Sequence, residues 1–214
     1  MPGCCSSDDY DAMFTSKGAA AGAKRFRRRG LTGTARDLAR AVAASGIPSG
    51  SILEVGGGLG EIQVTLLEQG IAATAVNVDL ASNWEVEARR LLGEKGLESK
   101  VERIVGDFAQ IGPDLSSADV VILHRVVCCY PDWRALLTAA IAKADRLIAL
   151  TFPVERWWTQ TMVGLGNLFN RLRKAQFRAY VHSEAAILDF IRIQGLEVSS
   201  DQSGFVWRTL IAQR

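Results

Sequence analysis

Between residues 51 and 151 the chain alternates short apolar runs with segments of helical periodicity. The apolar runs predict five strands, at residues 52–55, 73–78, 101–105, 119–123 and 146–151. Strands that are buried on both faces are apolar along their whole length, and a regular strand–helix alternation predicts a parallel sheet covered by helices on both sides. The fold class is therefore α/β, and Thr34 and Asp132 are the expected N-caps of two of its helices.

The end of the chain departs from this alternation. A helix predicted over residues 183–194 is followed by two strands, 196–199 and 205–212, with only a short Ser/Asp/Gly turn between them. A parallel crossover needs about a dozen residues or more, so the last two strands must pair as an antiparallel hairpin. The sequence thus predicts a doubly wound sheet that ends in a hairpin.

The composition excludes several classes of protein. The chain has 214 residues, of which 48% are hydrophobic and 22% charged, enough apolar material for a folded core. No apolar run approaches the roughly 18–20 residues that span a bilayer, and the N-terminus lacks the basic-then-apolar order of a secretory signal. The cysteines form two adjacent pairs rather than a spread disulfide framework, which leads us to expect a cytoplasmic protein with reduced thiols.

Charge is distributed unevenly along the chain. Residues 1–50 carry 8 basic and 4 acidic side chains, residues 51–150 carry 9 and 14, and residues 151–214 carry 8 and 5. The net charge of +2 gives no general bias toward nucleic acid. An acidic middle with basic flanks instead favours a cationic ligand at the centre and an anionic one at the flanks.

The segment 52–60 joins a predicted strand to a helix through a glycine turn with the spacing G-x-G-x-G. Glycine lets the backbone approach a ligand closely, and Asp79, which closes the next strand, suits the two hydroxyls of a ribose. Dinucleotide enzymes would have a glycine at position 61, where this chain has Glu61. A pyrophosphate would also disfavour Glu54 at the strand end, whereas a ligand with an amino group and a sulfonium would not.

These features resemble those of class I S-adenosylmethionine-dependent methyltransferases. In that family the acid and glycines of the turn bind the cofactor, the acid after the second strand binds the ribose, and a Gly-Asp-aromatic step after the third strand frames the adenine. The resemblance implies a Rossmann-like sheet of seven strands and S-adenosylmethionine as the cofactor. The cofactor-binding residues that it implies are Glu54, Gly56, Gly57, Gly58, Gly60, Asp79, Asp107 and Phe108.

The resemblance covers residues 35–214, preceded by a basic cap segment over residues 1–34. On the acceptor side, His124 follows the fourth strand and is a candidate general base, with Tyr130 and His182 as further catalytic candidates. The alternative is that His124 only packs or hydrogen-bonds beside the cofactor, because much methyl transfer needs alignment alone.

Residues 154–181 form the main insertion, with large apolar residues at helical spacing followed by basic ones. The favoured interpretation is a lid over the acceptor, followed by a packed helix with a solvated basic end and then by a helix on an anionic membrane surface. The segment 178–184 and the basic N-terminal helix are similar to magnesium-protoporphyrin O-methyltransferases, which esterify a propionate. This similarity favours O-methylation of a small, amphipathic, anionic acceptor, with Arg27, Arg28, Trp158 and Arg178 as candidate substrate residues.

No metal is expected as a cofactor, although Cys4, Cys5, Cys128 and Cys129 would form a thiolate site if the N-terminus reached the fourth-strand loop. The simpler interpretation is a buried pair at 128–129 and a disordered tail. An NAD-dependent dehydrogenase and a non-catalytic RNA-binding module are the alternative functions. The methyl acceptor is the expected partner, no nucleic acid is expected, weak membrane-surface contact stays open, and the oligomeric state is undetermined.

Overall fold

A computed structural model describes residues 7–47 and 50–214. Its strands are β1 Gly50–Val55, β2 Ala72–Asp79, β3 Val101–Val105, β4 Ala118–His124, β5 Ala144–Pro153, β6 Glu197–Ser203 and β7 Trp207–Gln213. Its α-helices are α1 Ser7–Met13, α2 Ser16–Arg29, α3 Gly33–Ala44, α4 Glu61–Glu68, α5 Glu85–Lys95, α6 Phe108–Ile111, α7 Trp133–Ala142, α8 Trp157–Leu172 and α9 Glu184–Ile193. Short 3-10 turns cover Ser82–Trp84, Glu98–Lys100, Gly112–Asp114 and Val127–Cys129.

The seven strands form one sheet in the order β3-β2-β1-β4-β5-β7-β6. Strands β1 to β5 pair in parallel, and β7 is antiparallel to both β5 and β6. The predicted fold class and the antiparallel hairpin are confirmed. The chain order reverses between β1 and β4, and ligands of doubly wound sheets bind in the crevice beyond the carboxyl ends of the strands at such a point.

The core has one apolar layer on each face of the sheet. Along β4, Val121 and Leu123 face the layer that contains α7 and α9, whereas Val120 and Ile122 face the layer that contains α3, α4 and α5. Successive side chains of a strand point to opposite faces, so a strand covered on both sides has to be apolar throughout. This explains the uninterrupted apolar runs in the sequence.

Of the two predicted helix caps, one is confirmed and one is wrong. The Asp132 carboxylate accepts a hydrogen bond from the Ala135 amide and caps α7, as predicted. Helix α3 begins two residues earlier than expected, at Gly33, so Thr34 lies inside it, and its hydroxyl accepts a hydrogen bond from the Arg125 guanidinium instead. The Thr34 hydroxyl therefore takes part in a tertiary hydrogen bond rather than in the helix cap that the local sequence predicts.

The N-terminal helices pack against the edge of the sheet that carries the glycine turn. Ala19 and Ala23 of α2 are fully buried against Leu59 and Ala88. Farther along α2, Arg27 forms ion pairs with Glu94 and Glu87 of α5, and two hydrogen bonds join its guanidinium to the Glu94 carboxylate. Within the described residues, no helix is both long and apolar enough to cross a bilayer.

Candidate active site

A cavity of about 480 Å³ lies beyond the carboxyl ends of β1, β2 and β4. It is lined by the glycine turn, by the ends of β2 and β4, and by residues of α1 and α2, and its volume is in the range of ligand pockets, roughly 300–1,000 Å³. A larger cavity of about 570 Å³, lined by Asp37, Arg40, Ser199 and Gln213 among others, contains none of the glycine-turn residues. We therefore take the first cavity, called the cleft below, as the candidate active site.

The glycine turn has a backbone conformation that residues with a Cβ atom could not adopt without strain or collision. Gly56, Gly58 and Gly60 have φ angles of +63°, +56° and +76°, in the left-handed region that favours glycine. A Cβ atom at position 56 would lie 2.6 Å from the Val126 side chain, and one at position 58 would lie 2.9 Å from the Trp84 ring. The backbone of the turn thus forms a wall of the cleft without side chains of its own.

Asp79 ends β2 and ties that strand to the glycine turn. One carboxylate oxygen accepts a hydrogen bond of 2.6 Å from the Gly58 amide, and the other accepts one of 2.8 Å from the Ala81 amide. Burial raises the pKa of Asp79 above its ordinary value, and the two backbone hydrogen bonds oppose this shift. Asp79 lines the cleft, so its carboxylate is fixed beside the turn in the position expected of a ribose ligand.

Glu54 lies under the glycine turn rather than along the cleft. Its side chain is 1% exposed and accepts a hydrogen bond of 3.3 Å from the Gln63 amide of α4. A Cβ atom at position 57 would lie 2.8 Å from the Glu54 carboxyl carbon, so the acid fills the space behind the turn. Burial raises the pKa of Glu54 to about 8. The geometry makes Glu54 a support for the turn, and its predicted cofactor contact stays a prediction.

Asp107 is the N-cap of α6 and is hydrogen-bonded to Tyr130, one of the predicted catalytic residues. Its carboxylate accepts a hydrogen bond from the Ala109 amide and caps α6, and the Tyr130 hydroxyl donates to it at 3.2 Å. Phe108 packs into the core with 4% of its surface exposed. These three residues lie together beside the cleft but are absent from its described lining, so Tyr130 is placed to position Asp107.

The end of β4 forms the opposite wall of the cleft. His124 Nδ1 lies 3.1 Å from the Thr151 hydroxyl oxygen, and burial, assisted by the positive charge of Arg125, lowers the pKa of His124 to about 3. His124 is therefore neutral at physiological pH. Arg125 has a φ angle of +60°, and its guanidinium lies over the Trp207 ring at 4.6 Å. Arg25 of α2 also lines this region of the cleft.

Sequence reasoning missed Arg125 and Trp84 as cleft residues. The left-handed conformation of Arg125, which turns its side chain out of the line of β4, has no signal in a single sequence. Trp84 lines the cleft, and its buried indole N–H has no hydrogen-bond acceptor among the described residues.

The four predicted substrate residues lie elsewhere. Arg27 pairs with acids of α5, Arg28 is exposed, the Trp158 indole N–H donates to the Phe205 carbonyl, and the Arg178 guanidinium donates to the carbonyls of Ala175 and Phe177. None of the four, and no residue of the segment 154–181, is in the described lining of the cleft.

His182 is likewise outside the described cleft lining. Its Nε2 lies 3.0 Å from the Tyr130 carbonyl oxygen and 3.1 Å from that of Val127, so it fixes the loop after β4. Burial lowers its pKa. His182 thus supports the loop after β4 from outside the described cleft lining.

Cys128 and Cys129 lie in the 3-10 turn that follows β4, with their sulfur atoms 3.7 Å apart. Cys129 lines the cleft, and its hydrogen bond to Cys128 lowers the pKa of the Cys128 thiol. Cys4 and Cys5 lie outside the described residues. Across the described part of the chain, no group of three or more His, Cys, Asp or Glu residues could hold a metal ion. The four-cysteine site stays a prediction.

A glycine turn after β1, a fixed carboxylate at the end of β2 and a closing hairpin are the features by which the sequence resembles class I methyltransferases, and the structure contains all three. Residues 52–147, slightly less than half of the chain, match the family model described as "Methyltransferase domain", as the sequence resemblance predicts. The cofactor of this class of domain is S-adenosylmethionine. No curated protein matches the chain in sequence.

Solved structures support the same fold over most of the chain. Magnesium protoporphyrin IX methyltransferase from Synechocystis PCC 6803, with bound S-adenosylhomocysteine, is 20% identical with a TM-score of 0.68, covering 95% of this chain and 99% of that one. Human N-acetylserotonin methyltransferase in complex with S-adenosylmethionine is 16% identical with a TM-score of 0.67, covering 96% and 58%. A cyclase shares the fold at 12% identity and a TM-score of 0.62, covering 83% and 80%. At these identities the likeness shows the fold alone.

Proposed function

We propose that the chain transfers the methyl group of S-adenosylmethionine to a carboxylate oxygen of a small, anionic, amphipathic acceptor. The observation that carries this proposal is the make-up of the cleft. One wall holds the glycine turn with the carboxylate of Asp79, and the other holds the guanidinium group of Arg125. Arg25 of α2 also lines the cleft, where its guanidinium lies 3.7 Å from the Glu61 carboxylate. A single cavity thus offers an acidic end to a cationic ligand and a basic end to an anionic one.

The acidic wall fits the cofactor in shape and in charge. Its glycines present bare backbone to the cleft, and Asp79 remains able to accept further hydrogen bonds, as a carboxylate has about four lone-pair sites. The indole N–H of Trp84 is a donor without a described partner. We assign the ribose hydroxyls to Asp79. When bound, S-adenosylmethionine supplies a methyl group activated by a positively charged sulfur.

The basic wall favours a carboxylate over a hydroxyl acceptor. An alcohol needs a base near its working pH to take its proton, and the His124 imidazole, with its pKa lowered to about 3, is too weakly basic for this task. A carboxylic acid has an ordinary pKa of about 4, so it enters the cleft already deprotonated. Arg125 then needs only to hold and align it, which is a large part of what methyl transfer requires.

The comparisons agree with this choice without deciding it. The magnesium protoporphyrin IX methyltransferase covers nearly the full chain, and the sequence resemblance to that family implies esterification of a propionate. The cyclase on the same fold shows that the sheet itself does not fix the reaction. The proposal therefore depends on the charges in the cleft, and it is these that the experiment has to test.

The test measures both binding and the chemistry of the product. The purified chain is titrated with S-adenosylmethionine by calorimetry and then incubated with the methyl-tritiated cofactor and a panel of aromatic and long-chain carboxylic acids, with the matching alcohols and amines as controls. We expect label in the acids alone, released as volatile methanol by mild alkali, because methyl esters hydrolyse there. Label that resists alkali would mean that the accepting atom is wrong, and failure to bind the cofactor would overturn the whole proposal.

A further inference from the structure

Helix α8 exposes an unusual amount of apolar surface. Its large side chains that are at least half exposed are Trp157, Met162, Leu165, Leu168, Phe169 and Leu172. At roughly 100° per residue these positions fall within one arc of about 140°, which we call the α8 arc. Single apolar residues on a surface are ordinary, but a contiguous patch marks a site of interaction.

The opposite side of α8 fixes the helix to the rest of the molecule. The Asn167 side-chain amide donates to the Ala179 carbonyl at 2.8 Å and accepts from the Ala179 amide at 2.9 Å. Asn170 donates to the Phe177 carbonyl, and Thr159 is fully buried. The helix is therefore attached through its polar side and directs the α8 arc outward, which is the reverse of a helix that packs on a core.

The charges around the α8 arc have one sign. Between residues 156 and 183 the chain has five basic residues and no acidic one. Arg171, Arg173 and Lys174 are exposed at the end of the helix, and Arg173 lies 4.4 Å from the centre of the Phe169 ring. A second copy of the chain packed on this face would meet no acidic partner within the segment. An anionic lipid surface matches both the apolar arc and the basic end.

The α8 arc is continued by another exposed aromatic residue and is linked to the cleft. Phe205, 76% exposed, stacks on the Trp158 ring with centroids 5.2 Å apart. On the cleft side, the segment after α8 carries Phe177, which packs edge-to-face against Tyr10 and Phe14 at 5.6 and 5.8 Å. Both of these rings line the cleft. A surface that held α8 would therefore lie close to the cleft entrance.

We propose that α8 is an interfacial helix that lies on an anionic bilayer, with the α8 arc at the boundary between headgroups and acyl chains. The enzyme then meets its acceptor at the membrane surface, which suits an amphipathic carboxylate that partitions there. The membrane contact stands on the geometry of α8 alone. Only the statement about the acceptor rests on the proposed methyl transfer.

The experiment compares the chain in flotation with vesicles of phosphatidylcholine alone and of phosphatidylcholine mixed with phosphatidylglycerol. We expect binding to the mixed vesicles that weakens with added salt. Leu165→Glu, in the α8 arc, should reduce the bound-to-free ratio by more than about tenfold. Gln160→Glu, an exposed position of the same helix outside the arc, is the matched control and should lose much less. Replacing Arg171 and Arg173 together by Gln should cost roughly thirtyfold.

Several outcomes would overturn the membrane proposal. Absence of flotation with anionic vesicles at low salt would do so, as would equal losses in Leu165→Glu and Gln160→Glu. Sedimentation that shows a dimer dissociated by Leu165→Glu would assign the α8 arc to a second copy instead. Cofactor binding, measured by calorimetry without vesicles, should be the same in all variants, so failure of the membrane contact is distinguishable from failure of the proposed methyl transfer.

Discussion

The two walls of the cleft are built in different ways. The glycine-turn wall comes from consecutive motif segments, and its carboxylate is held by two backbone amides within a few residues of β1 and β2. The β4 wall depends on Arg125, whose guanidinium contacts Thr34 and Trp207 from opposite ends of the chain. The first wall is specified locally by backbone shape, and the second is assembled by tertiary contacts that can vary with the acceptor.

Burial shifts the pKa values of two residues, one beside each wall, in opposite directions. Glu54, under the glycine turn, has its pKa raised to about 8, whereas His124, at the end of β4, has its pKa lowered to about 3. Desolvation disfavours the charged form in both residues. Near neutral pH, Glu54 is therefore mostly protonated and His124 is unprotonated. Both side chains are then uncharged and contribute little charge to the cleft.

The largest effect is expected from Asp79→Asn, a substitution in the glycine-turn wall that should weaken cofactor binding. The variant keeps a hydrogen-bonding side chain of the same shape but loses the charge that the two amides contact and to which we assign the ribose hydroxyls. We expect the dissociation constant for S-adenosylmethionine to rise about 100-fold, since a hydrogen bond to a charged group contributes roughly 1.5–3 kcal/mol. Calorimetric titration measures this, with Asp114→Asn, a carboxylate away from the cleft, as the control. Unchanged affinity would remove Asp79 from the site.

The second prediction concerns the basic wall. Arg125→Gln should raise the KM for a carboxylate acceptor roughly 30-fold, while the dissociation constant of the cofactor changes by less than about twofold. Arg25→Gln should act in the same direction. Arg28→Gln is the matched control, because Arg28 is an exposed arginine of the same basic segment outside the described cleft lining.

Initial-rate kinetics at saturating cofactor separates the effects on the acceptor from those on the cofactor. Arg27 and Arg28 are the substrate candidates of the sequence analysis, and reversing the charge of both should instead reduce stability, because Arg27 loses its pairs with Glu94 and Glu87. If that reversal impaired acceptor use as strongly as Arg125→Gln, the assignment of the basic wall would be wrong.

The contrast between the walls also explains how far the sequence could be interpreted. The sheet order, the hairpin and the glycine turn follow from apolar periodicity and from backbone requirements, which are local properties. Arg27 and Arg178 are basic residues of segments that resemble an acceptor-binding family, but a sequence does not show whether a guanidinium faces a cavity or, like these two, pairs with an acid or with carbonyl groups. Arg125 was overlooked because its direction depends on a positive φ angle that sequence does not reveal.

The third prediction tests the proton on Glu54. Between its ordinary pKa of 4.5 and about 8, the folded state holds a proton that the unfolded state has released, so the free energy of unfolding falls as pH rises through this window. The slope should reach about 1.4 kcal/mol per pH unit. Glu54→Gln should remove this slope when it is compared with the unsubstituted chain between pH 6.5 and 8, because the unfolded-state titration of His124, with its ordinary pKa of 6.5, is common to both proteins and cancels. Exposed Glu102→Gln should retain the slope. Urea unfolding at several pH values provides the measurement, and an unchanged slope in Glu54→Gln would show that the buried acid is ionised.

The smallest effect is expected at His124, although it is the side chain that resembles a catalytic base. Its folded-state pKa of about 3 leaves it neutral and weakly basic, and a carboxylate acceptor has no proton to give. His124→Gln, which keeps a polar partner for the Thr151 hydroxyl, should therefore change kcat by less than about threefold, with no inflection in the wild-type rate between pH 5 and 8 that depends on His124. General-base catalysis would instead cost about 10²–10⁴-fold. A loss of that size would favour a hydroxyl over a carboxylate as the acceptor. A hydroxyl has a proton to lose, so the β4 wall would then take part in proton transfer as well as in alignment.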